Sequence, residues 1–249
     1  MKINFSKQKL EKIVENFDNS GEMFADGDRN KIKLFDVDGQ ILNIKSFKKP
    51  IFINQIIYKY FRKSKAKRSF ENAKKLSEIG INTPKPIDYI EIFNFIGLQK
   101  SFYICEHLKV DFTLLQLMDI DDFDKKVFLF KKFARFCFEL HEKGIEFLDH
   151  SPGNTLFVKN GENYDLYLVD LNRMSFGISL PFHKRIKNLR RICYSEYLVK
   201  IISDEYILHY KNSRSNDFYN ELLHATNKFQ TKHINKRKLK KKLQFWKKL

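Results

Sequence analysis

"FLDHSPGNTLF", residues 147–157, is the stretch whose reading decides the fold of this chain. It sets Asp149, Pro152, Gly153 and Asn154 between two apolar runs. A carboxylate and an amide five positions apart in so tight a loop admit two readings. In one, Asp149 caps a polar turn after a helix. In the other, Asp149 takes the proton of a hydroxyl and Asn154 holds a metal. The surrounding chain has to choose between them.

Just upstream, residues 122–143 place Phe128, Phe130, Phe133, Phe136, Cys137 and Leu140 at roughly helical spacing, which predicts a long helix ended by Gly144. Just downstream, "YDLYLVD" (164–170) predicts a strand running into Asp170, and helical patterns fill 183–249. The first 110 residues read differently. Strand patterns occur at 21–26, 31–37 and 40–47, with a turn at Gly27 and a two-residue hairpin at Asp38-Gly39. Lys45 lies late in the third of these strands. Residues 65–79 have helix-forming composition, carry Glu71 and Glu78, and stop at Gly80. Pro84 and Pro86 forbid helix at 82–86, and strand-like runs follow at 87–93 and 98–108. Residues 1–19 read as a short polar helix or arm, and 51–63 are aromatic and basic. The shift from β-rich to α-rich composition near residue 110 predicts an α+β protein with two lobes, 1–108 and 109–249, joined by one crossing strand.

The 249 residues are 43% hydrophobic and include 25 Phe and 11 Tyr, enough for a packed core. A net charge of +17 points to an anionic partner: nucleic acid, acidic lipid or a phosphorylated substrate. Cys105, Cys137 and Cys193 have no metal-binding or disulfide spacing and read as buried thiols of a reducing compartment. "MKINFSKQKLEK" lacks the apolar core of a secretory signal, and no apolar run reaches the ~18 residues of a membrane span. The expected location is therefore the cytosol.

Four features now fall in order: Lys45 late in a strand, Glu71 on a helix, Asp149 and Asn154 in D-x-x-x-x-N spacing, and Asp170 at a strand end. Phosphoryl transfer from ATP needs this set. A lysine grips the α- and β-phosphates and a helix carboxylate orients it. One carboxylate accepts the proton of the acceptor hydroxyl, while an amide and a second carboxylate hold Mg²⁺ against the phosphate oxygens. Each residue alone has an ordinary reading: Lys45 a snorkelling surface lysine, Glu71 a partner of Lys67 or Lys75 on its own helix, Asp170 a strand-end carboxylate. Their joint order favours the chemistry. His141 and His150 read as structural.

"RKSKAKRSFENAKKLSEIGINTPKPI" (62–87), "LDHSPGN" (148–154) and "LVDLNRMSF" (168–176) together resemble the lipopolysaccharide core kinase (Kdo/WaaP) family of Gram-negative bacteria, within the protein-kinase-like fold. The resemblance spans roughly residues 20–195. It implies a two-lobed fold binding ATP between a β-rich N-terminal lobe and a mainly helical C-terminal lobe. It matches Asp149 to the catalytic aspartate, Asn154 and Asp170 to the metal ligands, and Lys45 to the phosphate-gripping lysine. Glu106, His107 and Leu108 match the connection whose backbone binds adenine. The implied activity is transfer of the γ-phosphoryl group to a sugar hydroxyl of the lipopolysaccharide inner core, with Kdo of Kdo-lipid A as the expected acceptor and ATP and Mg²⁺ as cofactors.

The pattern also departs from the family. Phe147 stands where a histidine is usual, and D-F-G becomes Asp170-Leu171-Asn172. No glycine-rich loop precedes Lys45, so Arg29 and Asn30 of "DGDRN" (26–30) are left to cover the phosphates. Glu78 competes with Glu71 as the partner of Lys45. No A-P-E-like segment follows Asp170, which favours a small-molecule or glycan kinase over a regulated protein kinase. The alternatives are another small-molecule or RIO-like kinase, or an inactive pseudokinase on membrane or nucleic acid. The tail "NKRKLKKKLQFWKKL" (235–249) combines Lys and Arg with Leu239, Leu243, Phe245, Trp246 and Leu249 and contains no acid. It reads either as a solvated helix that keeps the chain soluble or as an interfacial helix on anionic lipid, and the second reading predicts a peripheral protein on the cytoplasmic face of the inner membrane. No base-stacking or groove-reading element is assigned, so nucleic acid is not an expected partner.

Overall fold

The computed structural model describes residues 5–177, 179–211 and 214–246, with the side chains of Ser215 and of 240–246 outside the description. Two compact units emerge: Met1–Asp111 with Val158–Arg173, and Phe112–Phe157 with Met174–Leu249. The expected boundary left Asp170 with the second lobe. Instead, the 158–173 segment groups with the first unit, for reasons visible in its hydrogen bonds. Leu168 N donates to Asn82 O at 3.0 Å, and Thr83 Oγ1 donates to Leu168 O at 2.9 Å. The proline-bounded turn at 82–86 is thus the clamp that holds this hairpin.

In the first unit, helix α1 (Lys7–Glu15) precedes strands β1 (Glu22–Gly27), β2 (Asn30–Val37) and β3 (Gln40–Phe47). Helices α2 (Phe52–Tyr60) and α3 (Lys65–Glu78) lead to β4 (Pro86–Phe93) and β5 (Leu98–Glu106). The five strands form one antiparallel sheet in the order β1-β2-β3-β5-β4. The Asp38-Gly39 turn has positive φ at both residues (56° and 80°), the mirror-image geometry that matches strand twist. Leu10, Val14 and Phe17 of the α1 region pack on Phe35, Val37, Leu42, Ile44, Phe102 and Ile104, covering one sheet face. Buried Lys33 donates to the carbonyls of Phe17, Asp18 and Ser20, so its charge stays hydrogen-bonded just beyond the end of α1. Strand alternation sends Lys45 and Phe47 to the opposite face from Leu42 and Ile44. There α3 buries Ala66, Ser69, Ala73 and Leu76, one helical stripe.

In the second unit, β6 (Phe112–Thr113) and α4 (Leu114–Leu117) lead to α5 (Phe123–Glu142), the expected long helix. Next come β7 (Ile145–Phe147), one 3₁₀ turn at Pro152–Asn154, and β8 (Thr155–Asn160), whose last residues belong to the first unit along with β9 (Asn163–Leu168). Strand β10 (Met174–Phe176) pairs with β7. Helices α6 (Phe182–Leu189), α7 (Glu196–His209) and α8 (Phe218–Trp246) complete the unit. Helix α8 buries Phe218, Leu222 and Thr226, and residues 231–239 are exposed. The expected basic tail continues α8 to Trp246, but its side chains from 240 on, and residues 247–249, lie outside the described residues.

A buried polar chain supports the 147–157 loop from below. Asn188 Nδ2 donates to Phe147 O at 2.7 Å, which turns its Oδ1 toward His141 Nε2 (3.1 Å) and His150 Nδ1 (3.3 Å). Each imidazole therefore donates to Asn188 from that nitrogen. The other nitrogen accepts, from Tyr206 Oη at His141 (2.7 Å) and from Thr155 Oγ1 at His150 (3.1 Å). Arg185 in turn donates to Tyr206 Oη at 2.8 Å. Every partner is satisfied only with both histidines neutral. Burial pushes His141 down to about 3 and His150 to about 4. Phe147 stacks on His150 with ring centroids 5.2 Å apart.

This network predicts an acid-sensitive fold. Unfolded, the two histidines titrate near the ordinary value of 6.5, so below it the unfolded chain binds more protons than the folded one. The stabilisation is complete above pH 6.5 and is lost as pH falls toward 4. Thermal unfolding followed by circular dichroism should show the midpoint dropping across that window. A His150→Gln variant should be less stable at pH 7 yet lose less on acidification. Parallel pH profiles for the two proteins would contradict the assignment.

Candidate active site

Lys45 Nζ lies 2.6 Å from Asp170 Oδ1, an ion pair within the first unit that joins β3 to the segment after β9. Asn172 Nδ2 donates to the same oxygen at 2.9 Å, so both groups engage one side of the carboxylate. Asp170 adopts φ 61°, a left-handed conformation that Asp tolerates better than most residues. Helix α3 holds the segment in that shape. Asn72 Nδ2 donates to Leu171 O at 2.6 Å, and Arg68 Nη1 donates to Asn172 O at 2.8 Å. Strain of this kind costs of order 1–3 kcal/mol. A hydrogen bond to a charged group contributes about 1.5–3 kcal/mol. The bonds that Asp170 and Arg68 make therefore match or exceed the strain, and the segment is rigidly posed.

Glu71 is not brought to Lys45. Its carboxylate pairs with Lys63 at 2.8 Å, and Glu78 ends α3 as an exposed residue. The helix turns Lys65, Arg68 and Asn72 toward 170–172 instead, a stripe at i, i+3, i+7. Sequence reasoning missed Arg68 and Asn72 because it sought a carboxylate on that helix. The spacing was there to be read.

The charge around Asp170 is lopsided. Lys65 is lowered from the usual lysine value, first by burial, then by Arg29, Arg68 and Lys45, with Asp170 alone opposing. A cavity of about 260 Å³ opens beside it, lined by Arg29, Lys48, Lys49 and Lys65 with Phe47 and Tyr58, and without any carboxylate. A larger pocket of about 740 Å³ is mixed in charge, because Asp18, Asp26 and Asp28 share it with lysines. Of the two residues expected to cover phosphates, Arg29 therefore reaches the acid-free cavity, whereas Asn30 lines only the mixed pocket and buries its Oδ1 without a donor.

At the expected adenine-binding connection, Glu106 N donates to Lys85 O at 2.9 Å and His107 N to Ile41 O at 2.8 Å. Glu106 also pairs with Lys85 through its side chain, and His107 packs edge-on against Phe24. Only the Leu108 N–H lacks an acceptor among the described residues. The strand ends at Glu106, earlier than expected, because the chain leaves the sheet after the His107–Ile41 bond.

In the second unit, the Asn154 side-chain amide donates to Asp149 O at 3.0 Å, and Asn154 N donates to Ser151 O at 2.9 Å. The loop is thus closed on itself, and the Asn154 Oδ1 is left as a free acceptor. Arg191 Nη1 approaches Asp149 Oδ1 and Leu148 O, each at 3.3 Å. Beneath the loop, Asn188 ties the Phe147 carbonyl to buried His150.

Asp170 Oδ2 in the first unit and Asn154 Oδ1 in the second are each a hard oxygen atom with no hydrogen bond among the described residues, the ligand type that Mg²⁺ takes one or two of from a protein. The described residues hold no cluster of three His, Cys, Asp or Glu, so a cage made wholly of such side chains is not the arrangement.

Comparison with known proteins gives the same architecture. The structure of WaaP in complex with acyl carrier protein is similar with a TM-score of 0.60 at 16% identity, over 88% of this chain and 92% of that one. The Rio2 kinase–ADP/Mg²⁺–phosphoaspartate complex from Chaetomium thermophilum is similar with a TM-score of 0.53 at 14% identity, over 87% of this chain and 64% of that one. At such identities the likeness establishes a protein-kinase-like fold. No curated protein sequence matches the chain. The family described as lipopolysaccharide kinase (Kdo/WaaP) matches residues 8–210, most of the chain, and the protein belongs to that family.

Proposed function

We propose that the chain transfers the γ-phosphoryl group of ATP to a sugar hydroxyl of the lipopolysaccharide inner core, with Kdo of Kdo-lipid A as acceptor. The observation that carries this is the Lys45–Asp170 pair, set among Arg29, Lys65 and Arg68 in a chain of this kinase family. One carboxylate among four cations is a place for phosphates. Lys45 grips the α- and β-phosphates, and Arg29 and Lys65 offset the charge that builds on the transferred group. Leu108 N–H reads the adenine edge. Asp149 orients the acceptor hydroxyl and accepts its proton as the oxygen attacks phosphorus. Asp170 and Asn154 would hold Mg²⁺, which would supply positive charge to the phosphates. Kdo carries a carboxylate, and lipid A is a polyanion, which the +17 charge of the chain suits. The working place is the cytoplasmic face of the inner membrane.

Purified protein, ATP, Mg²⁺ and Kdo-lipid A test this directly, with aminoglycosides and protein substrates alongside. Phosphorylation of Kdo-lipid A alone is the expected result. ATP binding with transfer only to another acceptor would replace the substrate assignment, and binding without any turnover would indicate a pseudokinase. Asp149→Asn should lower turnover by about 10²–10⁴-fold with the fold intact, because a positioned base contributes that much. Retention of more than about a third of the wild-type rate would contradict its role. Asp170→Ala should remove the Mg²⁺ dependence of ATP binding in calorimetric titration, whereas Lys45→Met should keep adenosine affinity while activity collapses.

A further inference from the structure

Helix α2 is built inside out. Its nine residues, FINQIIYKY, are mostly apolar, yet the only one buried is Gln55. Gln55 anchors the helix by polar contacts: its Nε2 donates to Pro50 O and its Oε1 accepts from Gln99 Nε2, both at 2.8 Å. The backbone of Gln55 lies so close to Gly97 that a Cβ there would sit 2.4 Å from the Gln55 carbonyl oxygen. Lys59 Nζ reaches the carbonyls of Asn94 and Phe95 at 3.2 and 3.0 Å, fixing the β4–β5 turn beside the end of the helix. Docked this way, the helix and turn hold Ile51, Phe52, Ile53, Tyr60, Phe61 and Phe95 between 60% and 87% exposed. The surrounding segment 48–68 has eight Lys and Arg and no Asp or Glu.

We infer that α2 and the β4–β5 turn form a surface that docks on an anionic lipid bilayer. Isolated apolar side chains are ordinary on a protein surface; six large ones gathered on one short helix and its neighbouring turn are not. Phe61 and Phe95 are the most exposed of the set. Side chains that protrude singly find little to fill in a protein partner without a matching groove, whereas a fluid interface closes around them. Of the segment's cations, Lys63 pairs with Glu71, and Lys65 and Arg68 face 170–172. Exposed Lys48, Lys49 and Arg62 have no acid partner among the described residues and attract acidic headgroups; the aromatic residues enter the boundary between headgroups and acyl chains. The surface lies on the first unit and uses no residue of α8. It stands whether or not the kinase reading does.

Co-sedimentation of the full chain with vesicles tests the inference without ATP or any sugar acceptor. Vesicles of phosphatidylcholine with a third phosphatidylglycerol should bind the protein, and pure phosphatidylcholine vesicles should bind it much less. The double variant Phe61→Ser, Phe95→Ser keeps every charge, including those of the tail. It should partition at least about tenfold more weakly, with an unchanged melting temperature. Equal binding by the variant would overturn the assignment, since charge alone would then suffice. Absence of vesicle binding, with capture instead of an acidic soluble protein such as acyl carrier protein, would also overturn it.

Discussion

The ion pair between Lys45 and Asp170 is the constraint on which the first unit is organised. It joins residues 125 positions apart in sequence, and everything around it serves to hold its two ends. Lys45 is placed by the alternation of β3, whose other face is covered by α1. Asp170 is placed by the hairpin that Asn82 and Thr83 clamp, then by the grip of Asn72 and Arg68 on the carbonyls after it. The carboxylate keeps one oxygen bonded and one open. In the proposed reaction the bonded oxygen partners the lysine and the open one is left for Mg²⁺.

Electrostatics favour an anion at this arrangement. Lys65 is lowered first by burial and then by Arg29, Arg68 and Lys45, with Asp170 the one acid opposing them. Such an excess of like charge is costly unless an anion joins it. In the second unit the logic is reversed. The loop bearing Asp149 and Asn154 rests on neutral groups, two histidines held uncharged by burial and by a fully paired amide, hydroxyl and carbonyl network. The two histidines add no charge of their own. Charge enters the second unit's loop region through Arg185 on Tyr206 and Arg191 beside Asp149, and the network fixes the loop by geometry.

Much of this was legible from residue order. Strand alternation, the Asp38-Gly39 turn, the 65–79 helix and the D-x-x-x-x-N loop all reflect local rules, and local rules survive folding. What was not legible depended on which face a helix presents. Glu71 looked like the partner of Lys45 because it is the helix carboxylate at the right distance along the chain, but the helix is rolled so that Arg68 and Asn72 face Asp170 and Glu71 meets Lys63. The 51–63 segment had no assignment, because a helix that buries its glutamine and exposes its apolar residues defies the periodicity used to find helices. The grouping of 158–173 with the first unit was not legible, because a clamp between residues 82–83 and 168 is a long-range event that composition does not record. His150 read as structural from sequence, but its link through Asn188 to the Phe147 carbonyl depends on contacts spanning 38 and 41 positions and was not legible.

The central claim is that these residues phosphorylate the lipopolysaccharide inner core, and the most direct measurement is made on that product. Core oligosaccharide should be isolated from cells producing the wild-type chain and from otherwise identical cells producing only the Asp149→Asn form, and compared by mass spectrometry. The account predicts a core lighter by one phosphoryl group in the variant cells, with the phosphate of the wild-type core located on a Kdo residue by fragmentation. Identical core masses from the two cell lines, with both proteins present at equal levels, would contradict it.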